Sequence, residues 1–421
     1  MLEERFSALT TSEPDLLAYH FGEAGLAGPA CDYRMRAGDL AVSRSAYKEA
    51  IAHFSAGLST ADALPKPEER MRRQLDFLLK LGPALMVMRG MQSAEVEDAY
   101  RRAEEIGAAV GDSAATYKAK WGLWLNANLR RKTALARDRA SELVALARRS
   151  GDSDLLLEAY HCRWSTAFFR GDVAATLEDS RAGGETYDMS RHRHLGHTFG
   201  GHDPGVCAHV VCANALQLFG DRKGAKDSFA EGLALAETLD HPNSLAHALH
   251  NGGICHQLVA DRDAAFAVAH RAATLAEKFG MLPWRASSLV LTGWATATGS
   301  GVADGARLIE AELDKATATG PVPQYYLGLA AEVLLAAGRP EDSLAHLDRA
   351  IAGIDEPGVG FYLPEIYRLR GACLLALSRD NKDEARQAFT TARDIANRQG
   401  AIILERRASA SLVEVAMRTG S

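Results

Sequence analysis

The chain has 421 residues, 47% of them hydrophobic and 24% charged, with a net charge of -6 and no long basic run. That composition can bury a core and leaves no electrostatic footprint for nucleic acid. The opening MLEERFSALTTSEPD has no cationic stretch leading into an apolar one, and no apolar run reaches about 18 residues, so neither a signal peptide nor a membrane span is expected. The six cysteines (Cys31, Cys162, Cys207, Cys212, Cys255 and Cys373) are scattered and read as reduced packing residues of a cytoplasmic protein.

Aromatic residues make up only 7% while alanine is abundant, which favours closely packed helices over sheets. Apolar residues recur every three to four positions, and short Gly, Asp, Asn or Pro breaks separate the runs. A leading helix is predicted near 14–26. Nine helix pairs follow, near 30–62, 67–110, 113–149, 153–187, 204–238, 242–279, 283–318, 323–353 and 361–398. Pro204, Pro242 and Pro283 fall in first turns, where no backbone donor is needed. A last helix, 401–418, carries Ile402, Ile403, Leu404, Leu412 and Val415, which suit either a cap or a homodimer seam. No strand is expected.

The pairs repeat. GDRKGAKDSFAEGLALAETLDHP from Gly220 and ADRDAAFAVAHRAATLAEKFGMLP from Ala260 coincide at an offset of 40 at Asp221/Asp261, Arg222/Arg262, Ala225/Ala265, Leu235/Leu275, Ala236/Ala276 and Glu237/Glu277. Each pair exposes an apolar face that only a stacked neighbour can bury, the condition for a solenoid. Gly38, Ala50, Phe54 and Gly57 match the small, small, aromatic, small spacing of tetratricopeptide repeats. So do Ala331, Ser343, Leu347 and Ala350, and the second-helix set Ala385, Phe389 and Ala392. The expected fold is all-α: a tetratricopeptide-like α-solenoid of about nine helix pairs in a right-handed superhelix. Polar YDMSRHRHLGHTFGG, 187–201, interrupts it. It separates N-terminal repeats 1–187 from C-terminal repeats 202–421 by a His-rich loop, 188–201, within one continuous solenoid.

The densest chemistry surrounds that loop. RHRHLGH and GHDPGVCAHVVCANALQLFGD supply His192, His194, His197, His202 and His209 with Cys207 and Cys212. His209 and Cys212 share a helix face, but no Cys-x2-Cys pair or other zinc spacing is present. The cysteines read as packing, and Asp203-Pro204 as a helix start with Asp as cap. No metal and no cofactor are assigned. LAHALHNGGICHQL adds His247, His250 and His256. In the 40-residue register His209 aligns with Leu249 and His256 with Leu216. Helices pack about 8–10 Å apart, and seven residues add about 10 Å of rise. His209 and His256 are then too far apart to share an ion, yet can line one groove. Of Trp121, Trp124, Trp284 and Trp294, one is expected to be exposed as a binding anchor and the rest to be core. The candidate groove residues are His202, Asp203, His209, His250, His256, Trp284 and Trp294. Glu158, Asp172 and Asp261 read as solvated faces or caps. Phosphate-loop, dinucleotide, HExxH and GxSxG motifs are missing from the sequence, and the chain reads as non-catalytic.

PDLLAYHFGEAGLAGPACDYRMRAGDLAVSRSAYKEAIAHFSAGL (14–58), GHDPGVCAHV, HPNSLAHALHNGGICHQL, GMLPWRASSLVLTGWA and FYLPEIYRLRGACLLAL together carry a family resemblance. The chain resembles, from Pro14 to about Met417, the tetratricopeptide-like C-terminal region of bacterial class III adenylate/guanylate cyclase proteins. There a cyclase domain and an ATPase precede the array. Nothing in this sequence matches the cyclase metal-binding aspartates or the ATPase phosphate loop. The resemblance therefore implies a regulatory, sensing or docking array, either excised from a longer protein or a stand-alone paralogue. The expected function is a signalling scaffold that binds a protein or peptide segment in its concave groove, without nucleic acid or membrane. A small-ligand or peptide sensor in signalling or transcription regulation and a His/Cys metal-binding protein are the alternatives.

Overall fold

The computed structural model describes residues 13–44, 46–199, 201–317 and 322–417. Every regular element among them is helical, arranged as an α-solenoid of antiparallel pairs. Two compact units divide between Leu146 and Ala147. The first holds α1 (Pro14–Glu23), α2 (Ala27–Ser43), α3 (Tyr47–Ala61), α4 (Pro67–Arg89), α5 (Ala94–Val110), α6 (Ser113–Leu129) and most of α7 (Thr133–Ser150). The second holds α8 (Ser153–Arg170), α9 (Val173–Thr186), α10 (Met189–His192), α11 (Leu195–Thr198), α12 (Pro204–Phe219) and α13 (Arg222–Thr238). It continues with α14 (Pro242–Gln257), α15 (Arg262–Lys278), α16 (Leu282–Thr296), α17 (Val302–Thr317) and α18 (Gln324–Ala336). The last four are α19 (Pro340–Ala352), α20 (Leu363–Leu377), α21 (Lys382–Gln399) and α22 (Ile402–Met417).

Helix ends follow the local chemistry. Asp112, Asp152, Asp172, Asp203, Asp221 and Asp261 each accept a backbone N–H from the first turn of the helix they precede. Gly111, Gly171, Gly220 and Gly400 end helices in the left-handed region, where a side chain is strained. The Gly320-Pro321 break and the side chain of His197 lie outside the described residues.

In the first unit, glycine and aromatic side chains set the stacking distance. Phe54 of α3 lies on Gly38 of α2, where a Cβ would come within 2.1 Å of its ring; Phe77 lies on Gly57 in the same way. Phe54 and Phe77 are fully buried. Removing such a ring costs about 3–5 kcal/mol, because the cavity it leaves does not collapse.

The second unit closes on itself. First helices of successive pairs, α8, α12, α14, α16, α18, α20 and α22, touch in series, and α22 returns to touch α12. Bonds between distant positions fasten this turn. Arg170 makes two hydrogen bonds to Glu356, of 2.6 and 3.0 Å, and Gly360 N–H donates to the Arg170 carbonyl at 3.0 Å. The Phe168 and Phe361 rings stack at 4.6 Å. Gln257 donates to the Tyr362 hydroxyl at 2.9 Å, and Arg407 to the Leu258 carbonyl at 2.6 Å. Fourteen of the sixteen residues of α12 are therefore buried, only His209 and Phe219 excepted. That helix is apolar all round because it has neighbours all round. Tyr325, Tyr362 and Glu365 are buried within this unit. Burial alone would raise the Glu365 carboxyl pKa, but Arg368 and Arg407 beside it bring the value below the usual range.

The 188–201 segment is not an extended loop. It forms the single turns α10 and α11 inside the second unit, with His192 and Leu195 buried. Of the apolar residues of α22, Leu404 and Val415 are buried against the array, while Ile402, Ile403 and Leu412 are half-buried.

Candidate functional site

The chemistry concentrates where α8, the start of α12 and the start of α14 meet. From α8 come Glu158, His161 and Trp164, all buried and one helical turn apart. His161 Nδ1 lies 3.2 Å from a Glu158 carboxylate oxygen. Its other nitrogen, Nε2, faces Nε2 of His202 at 3.1 Å. Cys207, one turn into α12, accepts a hydrogen bond from the Trp164 indole N–H at 3.3 Å. His161 Nε2, His202 Nε2 and Cys207 Sγ all lie within 4.8 Å of one another. From α14, His247 stacks flat on His202, ring centroids 3.9 Å apart and planes 5° apart.

A supporting set fixes these groups. Asp203 caps α12 through Val206 N–H at 3.0 Å, accepts the Tyr187 hydroxyl at 2.9 Å, and donates its own N–H to Ser244 at 2.8 Å. Asn243 bonds the Gly201 carbonyl and accepts the Trp284 indole N–H. Trp284 meets His247 and His250, each at 5.5 Å between ring centroids, and His250 Nε2 pairs with the Tyr326 hydroxyl at 3.0 Å.

Burial and the neighbouring ionisable groups pull the pKa values of this cluster in opposite directions. Burial would lower the His161 pKa, but Cys207 and Glu158 outweigh it and raise the value to about 10. Burial would likewise raise the Cys207 thiol, yet His161 and His247 bring it well below the usual range. His202 is pushed well down by burial and by neighbouring His161, and burial takes His250 down to about 4. Cys207, His161 and Glu158 have the order of a nucleophile, a base and an orienting carboxylate. The sulfur is 1% exposed, however, out of reach of an external substrate.

The seven residues named from sequence fall into three places. His202, Asp203, His250 and Trp284 surround the His/Cys cluster, with Asp203 and His250 buried. His209 and His256 stand apart from it, partly exposed, each beside a carboxylate: Glu231 at 3.3 Å and Asp261 at 3.9 Å. Trp294 is buried under the Arg262 guanidinium, 4.2 Å from its ring centre. Trp121 and Trp124 are also buried, which leaves Trp284 as the partly exposed member of that four.

Two readings are corrected. Glu158 is not on a solvated face; it is buried against His161 because α8 has neighbours on all sides. Cys207 is more than a packing residue, since it meets two imidazoles and an indole N–H. Asp172 and Asp261 are caps. His161 and Trp164 were missed because YHCRW carries no motif. Their signal is register: His161 to His202 spans 41 positions and Cys207 to His247 spans 40, close to the repeat length.

No family model matches the chain. It is 29% identical over 408 residues to an uncharacterized protein of Rhizobium meliloti (strain 1021). The match covers 96% of this chain, which spans 39% of the length of that relative. Among solved structures it is similar to a Rap protein complexed with competence and sporulation factor, with a TM-score of 0.47 and 11% identity over 92% of this chain and 98% of that one. Yeast Tom70 follows at 0.39 and 13%, over 99% and 89%. A signal transduction ATPase with a tetratricopeptide repeat sensor, from Pyrococcus horikoshii, stands at 0.41 and 9%, over 77% and 52%.

Proposed function

We propose that the chain is a non-catalytic interaction array that binds a protein segment and regulates a longer signalling protein in the cytoplasm. The observation that carries this reading is the architecture: antiparallel helix pairs stacked within each unit, with the Cys207 thiol buried. Such arrays present broad surfaces on which recognition is spread over many repeats. The Rhizobium meliloti relative supports a multi-part setting, being more than twice the length this chain spans. The resemblance to the array that follows the cyclase and ATPase domains of bacterial cyclase proteins suggests which parts those are. Among the described residues no helix is long and apolar enough to cross a membrane.

The contact residues in this reading are the partly exposed members of the candidate set, His202, His209, His256 and Trp284, with Asp203 and His250 buried beside the His/Cys cluster and Trp294 buried apart from them under Arg262. The test is capture with the wild-type chain beside a His209→Ala/His256→Ala/Trp284→Ala variant, followed by calorimetry on the purified partner segment. A partner lost by the variant and rebound by the wild type supports the reading. Partners bound equally by both overturn the assignment of these residues. The sensor alternative draws on Tyr187, which donates to Asp203, and on the buried His192 and Leu195. Stabilisation by a small molecule in a thermal-shift screen, with no protein partner, favours that alternative.

A further inference from the structure

We propose that His161, His202 and Cys207 form a metal site for a borderline-soft divalent ion, zinc above all. Two imidazole nitrogens and one thiolate are the donor set that zinc takes, with bonds of about 2.0–2.3 Å. Two nitrogens bound to one tetrahedral zinc stand about 3.3 Å apart on those bond lengths. The Nε2 atoms of His161 and His202 stand 3.1 Å apart, and the Cys207 sulfur lies within 4.8 Å of both.

The surroundings match what a bound imidazole requires. A ligating histidine commonly gives its other N–H to a carboxylate, which fixes the tautomer and the ring. Glu158, itself buried, lies 3.2 Å from His161 Nδ1. With that N–H donated, the Nε2 lone pair points at His202 and Cys207. The Trp164 indole N–H on Cys207 sulfur supports a thiolate without competing for its remaining lone pairs. The three ligands come from two helices and the turn between α11 and α12, so an ion would tie α8 to the start of α12. His202 is only partly buried and gives the approach from solvent. From α14, His247 stacks on His202 beside the three donors.

The experiment uses the full chain, stripped with chelator, dialysed and titrated with cobalt(II) and then zinc(II). The expected result is one ion per chain and a thiolate-to-cobalt charge-transfer band that zinc abolishes. Cys207→Ser should remove the band. Glu158→Gln, at the second nitrogen of His161, should weaken zinc binding by about 10–100-fold. Cys212→Ser serves as the control that keeps both band and affinity. Circular dichroism checks that each variant is folded, and the wild-type arm needs no variant. A folded wild-type chain that gives no charge-transfer band, or a band that survives Cys207→Ser, overturns the proposal.

Discussion

Helices α2 and α12 follow the same repeat grammar and end in different environments. In α2 six of seventeen residues are buried, and the contact is a ring on a glycine, Phe54 on Gly38. In α12 fourteen of sixteen are buried, including Cys207, Asn214 and Gln217. The first is a surface helix leaning on its neighbours, and apolar burial accounts for it. The second lies inside a closed turn, where polar groups have no water to turn to. They must satisfy one another, as Asn214 and Asn251 do at 2.9 Å, or hold something else, as the His/Cys cluster is placed to do. The lesson is that winding, not sequence composition, decides which repeat carries chemistry.

Four perturbations probe that contrast. The largest effect belongs to the ring-on-glycine contact: Phe54→Ala should lower stability by about 3–5 kcal/mol in urea unfolding, and a loss under 1 kcal/mol would contradict the packing described. Next comes acid. Burial holds His250 at about 4, below the usual value of about 6.5, so the unfolded chain takes up the proton first. The stability from keeping it neutral is complete above pH 6.5 or so and is lost as the pH falls toward 4, on the order of 3 kcal/mol in all. His250→Gln should flatten that part of the stability curve, and an unchanged slope would show that His250 is not buried as neutral imidazole.

Capping gives smaller numbers and a direct comparison. Asp203 and Asp221 both cap helices, but Asp203 is buried and also accepts from Tyr187. Asp203→Ala should cost about 2 kcal/mol and Asp221→Ala about 1 kcal/mol by thermal unfolding. Equal losses would remove the distinction between the two environments. The smallest effect is expected on the surface, where Lys223 and Asp227 form an exposed pair at 2.6 Å. Lys223→Ala should leave the thermal unfolding midpoint unchanged within error, and a clear drop would mean that the outer face of α13 is not open to solvent.

Much of the fold could be read from sequence. Periodicity and helix-breaking dipeptides placed most helix ends within a few residues, and the Gly38/Phe54 and Ser343/Leu347 positions are the close contacts that their spacing implied. The site was half legible. His202, Asp203, His250 and Trp284 were found because histidine and tryptophan stand out locally. His161, Trp164 and Glu158 were not, since they lie on another helix and meet Cys207 only after α8 packs on α12. The closure of the second unit was hidden for the same reason. It rests on pairs such as Arg170–Glu356, 186 positions apart, and no local pattern announces them.

The claim on which the rest depends is that α12 lies in the interior of a closed turn. Hydrogen exchange followed by mass spectrometry tests it directly, by comparing peptides from 206–218 with peptides from 27–43. Amides of 206–218 should exchange only through the largest openings and be the slower set by orders of magnitude. Exchange over 206–218 as fast as over 27–43 would contradict the closed turn and the buried His/Cys site with it.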